Sequence, residues 1–218
     1  MAVSSNFSHD CCRRHLTPAR QFHSAAQAEI NELLRRSVTS SIEVKSEEIG
    51  KLPQCVQRWL RCAGVVDRSL PSCVQITQQG SLRTSPSGKW MPFTASEVFT
   101  TDPPSFLWDA RIKAGPMMTI AGRDKLSEGH GNTIIKPFYV FTLTQSRGPA
   151  IDESTLVRYL AEMAWFPQSA LSHYVRWDRV DDRSATATIS HSGTSSSGTY
   201  LFGSDGLVSG FEAKRYGE

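Results

Sequence analysis

The sequence has no apolar run approaching the ~18 residues that suggest a membrane-spanning helix, so nothing in it reads as a bilayer span. Its first twenty residues lack the apolar centre of a secretory signal, and the expected location is therefore cytoplasmic. It holds five cysteines, Cys11, Cys12, Cys55, Cys62 and Cys73. None forms a C-x-x-C pair, which removes the common zinc spacing, and an odd count in a chain of this size argues against a disulfide framework. All five are expected as free thiols. The formal net charge is only +3, with basic residues scattered rather than interleaved with aromatics, so nucleic acid is not an expected partner. The chain contains no G-x-S-x-G, no H-E-x-x-H, no Walker loop and no G-x-G-x-x-G. Those absences remove the familiar serine-hydrolase, zinc-protease, nucleotide-hydrolysing and dinucleotide-binding signatures. No metal or cofactor is expected.

What is present is a chain of 218 residues, 39% hydrophobic, long enough for one well-buried core. Its organising stretch runs from Gly88 to Ile112. Phe106, Trp108, Ala110 and Ile112 alternate with Leu107, Asp109 and Arg111, the period of a half-buried strand. Asp102-Pro103-Pro104 breaks the stretch into two β-rich runs, because proline fixes its own φ and biases the preceding residue away from the helical region. The spacing predicts a large antiparallel hairpin.

Residues 1–23 read as a disordered tail, followed by a short helix from Ser24 to Arg36 with a narrow apolar stripe, Ile30, Leu33 and Leu34. Pro53 to Ala63 predicts a better helix, started by proline and stopped by Gly64. Strands are predicted from Cys73, from Met118, and across Asn132–Thr144, the last a buried strand with Pro137 at a bulge or edge. Residues 151–166 carry the clearest helical periodicity, with Asp152 as N-cap and Ile151 and Leu156 as a hydrophobic staple. Four short strands follow, about His173–Val180, Ser184–His191, Thr194–Phe202 and Leu207–Tyr216, separated by turn signals such as Asp205-Gly206. The fold class is therefore α+β: a curved antiparallel β-sheet, a half-barrel-like meander, with helices packed on one face. Residues 1–45 are expected as tail and short helix, and residues 46–218 as a single β-rich domain.

Several motifs occur together: Leu52-Pro53 with Trp59-Leu60-Arg61, Trp90-Met91-Pro92-Phe93, Phe99-Thr100-Thr101-Asp102-Pro103-Pro104, and Arg158-Tyr159-Leu160-Ala161-Glu162 with Trp165-Phe166-Pro167. Jointly they resemble an uncharacterised bacterial family, a domain of unknown function, over roughly residues 50–216. The order of elements is also similar to carriers of the LolA/LolB type, in which a curved sheet shelters a lipid-sized cavity; that is fold analogy, and fold does not imply function. Members of the family begin with membrane-spanning or signal-like helices and continue past the position of Tyr216. The resemblance implies a shortened domain without closing C-terminal strands, whose last strand is a free edge open to self-association.

Among chemistry-bearing residues, Gly129-His130-Gly131 reads first as a turn and His173 as a structural residue. Asp178, Asp181 and Asp182 have the oxygen donors of a hard-cation site, and a solvated turn is the simpler reading. The aromatics Trp90, Phe93, Phe99, Trp108, Tyr159 and Trp165 either fill the core or line a pocket. Arg123 and Lys136, with Arg111 and Arg158, suit a pocket rim that meets an anionic head group. The function expected from these residues is non-enzymatic binding of an apolar or amphipathic, lipid-like small molecule in a cavity between sheet and helix. One alternative is a hydrolase-like enzyme using His130 or His173 with a carboxylate. Another is a structural or interaction domain.

Overall fold

The computed structural model describes residues 17–37 and 41–215. Helix α1 (Pro18–Arg36) opens the described chain, followed by β1 (Ile42–Glu43), α2 (Ser46–Ile49), α3 (Gln54–Cys62) and β2 (Ser69–Leu70). A six-stranded meander then runs through β3 (Cys73–Leu82), β4 (Met91–Thr101), β5 (Pro104–Lys113), β6 (Thr119–Ser127), β7 (His130–Pro137) and β8 (Thr144–Ser146). Helix α4 (Pro149–Glu162) and two 3-10 turns (Met163–Trp165, Pro167–Leu171) lead into a second meander. Its strands are β9 (Val175–Arg179), β10 (Ser184–His191), β11 (Thr194–Phe202) and β12 (Val208–Glu212), ordered β12-β11-β10-β9. Every strand pair in both meanders is antiparallel. The architecture is α+β with open antiparallel sheets, as the alternation and turn signals predict.

The core lies where α4 meets both sheets. On the inner face of the large sheet, Phe99, Phe106 and Leu126 are fully buried against Leu156, Tyr159, Leu160 and Phe166. The small sheet contributes Ala185, Ala187, Ile189 and Tyr200 from the other side, and Trp59 of α3 stacks on Tyr200 with ring centroids 5.7 Å apart. Helix and sheet approach so closely at β7 that a Cβ on Gly131 would sit 2.6 Å from Thr155 Oγ1 and 2.7 Å from the Ile151 carbonyl oxygen. The Tyr159 hydroxyl donates to the Thr100 carbonyl at 3.0 Å, which ties α4 to the end of β4.

Several local expectations change. Helix α1 begins at Pro18, with the Thr17 side chain accepting from the Arg20 N–H. It lies on the outer face of the large sheet, opposite α4, burying Ala26, Ile30 and Leu33 on Val98 and Leu107. Ala26 widens the stripe that Ile30 and Leu33 alone made narrow. Asp152 is not the N-cap of α4, because Gly148 takes that place with Pro149 starting the helix. The strand expected over Asn132–Thr144 ends at Pro137, since Phe138 and Tyr139 both adopt positive φ (52° and 64°) and turn the chain out. Residues Ile42–Glu43 pair with Ser69–Leu70 in a separate two-stranded sheet. Cys55, Cys62 and Cys73 are free thiols; Cys11, Cys12, most of the expected N-terminal tail and Tyr216 lie outside the described residues.

Candidate functional site

A groove runs between α1 and the outer face of β6 and β7. Its first section encloses about 390 Å³ between Phe22, Ala25 and Ala26 of α1 and Ile134, Tyr139 and Val140 of the sheet side. Small side chains at Ala25 and Ala26 leave room there, and Phe22 meets the Tyr139 ring edge-on at 6.0 Å. The second section, about 720 Å³, continues past Asn132 to His130, Arg147 and Asp152. Glu29, Arg123 and Ile134 line both sections and join them.

The polar groups are unevenly balanced. Arg123, only 5% exposed, donates to the carboxylate of Glu29 and to Asn132 Oδ1. Its Nε is buried without a hydrogen-bond partner among the described residues, so that donor is enclosed and does not open into the groove. Lys125 Nζ lies 2.8 Å from the same Glu29 carboxylate, Glu128 pairs with Arg36, and Asp152 Oδ1 accepts from the Gly131 N–H at 2.7 Å. The acids of the groove are thus engaged, while Lys136 and Arg147 are in no ion pair among the described residues. The excess is positive, beside an apolar section.

Beside the groove, His23 Nδ1 lies 2.7 Å from Asp109 Oδ2. Asp109 stands directly opposite Arg123 across β5 and β6. Burial raises its carboxyl above the usual range, against the lowering pull of His23, Arg111 and Arg123. At the far end, His130 Nδ1 lies 3.2 Å from Asp152 Oδ2, with the imidazole largely exposed. His173 has no ion pair among the described residues, and its ring lies edge-on to Tyr174 at 5.3 Å.

A second polar cluster sits under α4. Arg158 reaches Glu97 at 2.8 Å, Asp124 at 2.7 Å and Glu162 at 3.0 Å, and its guanidinium stands 5.2 Å from the Trp108 ring centre. The Trp108 indole N–H donates to Gln78 Oε1 at 2.8 Å, and Gln78 donates to Glu97 at 2.7 Å. Burial pushes the Glu97 carboxyl up to about 8, with Arg158 pulling the other way. Glu162 is raised by the same cause. Arg158 is shared among three carboxylates, so it cannot hold every one of them ionised. Glu97 is fully enclosed, which makes this cluster a clamp between helix and sheet rather than a surface for substrate.

The residues singled out in the sequence separate into different places. Arg123 and Lys136 line the groove. Phe99 and Tyr159 are completely buried core residues, while Phe93 and Trp108 pack with Ala95, Ala110 and Ile112 on the α4 side of the sheet. Trp165 is about half exposed beside Phe99, at 6.4 Å, and Trp90 is exposed at the end of the sheet. The cavity expected between sheet and α4 is occupied by Phe99, Phe106, Tyr159 and Phe166; Phe99 and Phe166 stack at 4.5 Å. Asp178, Asp181 and Asp182 do not form a cation site: Asp178 and Asp182 face Arg176 and Arg179, Asp181 accepts from the Arg183 N–H, and no metal-holding group of three or more His, Cys, Asp or Glu occurs among the described residues. Glu29 in the groove and His23 beside it carry little sequence signal. The one available signal was Glu29 bordering the stripe of Ala26, Ile30 and Leu33.

These features define an α+β protein with a helix-covered groove on an open antiparallel sheet. The chain belongs to the family of unknown function DUF6544, which it matches over residues 43–218. No curated protein and no solved structure matches the chain. The matched span covers both sheets and α4 but not α1, so one wall of the groove lies outside it. No helix among the described residues is long and apolar enough to cross a membrane.

Proposed function

We propose that the protein binds an amphipathic small molecule carrying an anionic head group, in the groove between α1 and the large sheet. The observation that carries this reading is the pairing of an apolar section with surplus positive charge. Phe22, Ala25, Ile134 and Val140 would take the hydrocarbon part, and Lys136 the head group. A volume of about 390 Å³ falls within the ~300–1,000 Å³ common for small-molecule sites.

The test is titration with a fluorescent fatty acid. Ala25→Trp fills the apolar section and Lys136→Glu reverses the charge; each should weaken binding roughly tenfold, the latter through loss of a favourable charge contact worth ~1.4 kcal/mol or more. Trp165→Ala, on the opposite side of the sheet, should leave it unchanged. Binding that survives Ala25→Trp intact would place the ligand elsewhere and refute the assignment.

One observation favours a hydrolytic second reading: His130 and Asp152 converge at the wider end of the same groove. With Nδ1 held toward Asp152, Nε2 would take a proton from water as hydroxide adds to an ester carbonyl, and return it to the departing alcohol. Ester turnover abolished by His130→Ala would favour this reading; absence of turnover in the unaltered protein would exclude it.

A further inference from the structure

In a meander, alternate connections emerge at the same end. The β3–β4 hairpin (83–90), the β5–β6 turn (114–118) and the β7–β8 loop (138–143) therefore share one end of the large sheet. The register confirms it, since the Phe138 N–H donates to the Thr119 carbonyl at 2.8 Å and Thr119 pairs with Lys113. Most of the exposed large apolar side chains among the described residues lie there: Trp90 (62%), Met117 (92%), Phe138 (49%), Val140 (55%), Phe141 (67%) and Leu143 (69%). Single exposed apolar residues are ordinary, whereas a grouped set marks an interaction surface.

The charge around them has one sign. Residues 82–96, 110–123 and 129–151 contain no aspartate or glutamate. Arg83, Lys89, Arg111 and Lys113 are exposed within these segments. None of the four is in an ion pair among the described residues. Arg83 stands over the Trp90 ring at 4.8 Å. The opposite end of the sheet carries Asp102 and Glu128 in its turns instead.

We propose that this end of the sheet docks on an anionic lipid bilayer, with the loop tips entering the head-group layer and the lysines and arginines meeting lipid phosphates and carboxylates. Interfacial binding of this kind combines shallow apolar burial with attraction to anionic lipids, and involves no span. A protein partner of fixed shape would need a matching hollow for each of three separate loops. A fluid head-group layer needs none, and a cationic ring without acids complements its surface charge. The surface is distinct from the groove reading; only Val140 belongs to both, so the variants leave Val140 in place.

The experiment is co-sedimentation of the full chain with vesicles of phosphatidylcholine, with and without phosphatidylserine. The partners are Phe138→Ser/Phe141→Ser and Lys89→Glu/Lys113→Glu, all exposed positions, with thermal melts to show that both variants fold. Phosphatidylserine vesicles should bind the protein at least tenfold better than phosphatidylcholine alone, raised salt should weaken that binding, and each variant should lower it roughly tenfold. Fluorescent fatty acid binding in the groove should be unaffected by either variant, which separates failure of this proposal from failure of the groove reading. Absence of phosphatidylserine-dependent binding, or variants that bind as well as the parent, would overturn it. So would a dimer that Phe138→Ser/Phe141→Ser dissociates without any vesicle binding, since the patch would then belong to a second copy of the chain.

Discussion

Arg158 Nη2 lies 2.8 Å from Glu97 Oε1, at a carboxyl that solvent does not reach. The contact joins α4 to the middle of β4, and Asp124 extends it to β6. Because Arg158 also lies 4.9 Å above the Phe106 ring, the cation is enclosed by carboxylates at its edge and aromatics at its face.

Removing the arginine should therefore cost far more than neutralising its partner. Arg158→Met strands buried carboxylates and is expected to lower stability by about 3–5 kcal/mol. Glu97→Gln should cost under about 1.5 kcal/mol, because burial favours the neutral form of this carboxyl and the amide keeps its shape. Urea melts of the two variants measure the difference, and equal losses would show that Glu97 is ionised in the folded protein.

The same carboxyl sets a pH dependence. Its folded value, raised by burial to about 8, exceeds the ordinary 4.5, so between those limits the folded state holds more protons than the unfolded one. The stability associated with Glu97 is complete below pH ~4.5 and is lost as pH rises through 8. Melts across pH 5–9 should show that decline, and Glu97→Gln should flatten it. A parent protein that gains stability across the window would contradict the assignment.

Strand alternation made most of the fold legible. Phe106 to Ile112 alternates as β5 does, and the second meander follows its turn signals at His191-Ser192-Gly193 and Asp205-Gly206. Other features were hidden for physical reasons. The outer face of β4 and β5 carries Ser96 and Asp109 beside Val98 and Leu107, which reads as a solvent face, so nothing announced that α1 covers it. Asp152 has the chemistry of a cap, but its carboxylate is used on Gly131 and His130 of a neighbouring strand. Arg123 and Lys136 were legible as cations for a pocket rim; the His23–Asp109 contact, 86 residues apart in sequence, leaves no local pattern to read.

Phe211 lies over Gly198, where an added Cβ would come within 2.1 Å of its ring. Gly198→Val should destabilise the small sheet by about 1–3 kcal/mol through overpacking. Adding Phe211→Ala should recover part of that loss in the same thermal melts. A stable single variant would mean that the ring moves aside freely.

The thiols differ in reactivity. Cys62 is exposed, whereas Cys55 is buried and Cys73 half-buried, and burial raises both of the latter. Disulfide-exchange labelling of the native protein should modify Cys62 well before Cys55 or Cys73, because thiolate character and access set the rate. Peptide mass mapping over time reports the order, and Cys55 labelling first would indicate that α3 opens readily.

Strand β12 is an edge of the small sheet, and an edge strand offers unpaired backbone groups to another chain. Sedimentation velocity should detect self-association that Ser209→Pro reduces. A strictly monomeric parent at high concentration would dispose of the expectation.

Both meanders pair only neighbours in the chain, and α4 comes between them in sequence as well as in space. Each sheet can grow by adding one hairpin at a time, with small loop-closure costs at every step. The long-range closure is concentrated in seating α4 and then folding the second meander over it. Substitutions at the α4 seat, such as Leu160→Ala, should therefore retard refolding more than equally destabilising changes in the hairpin turns.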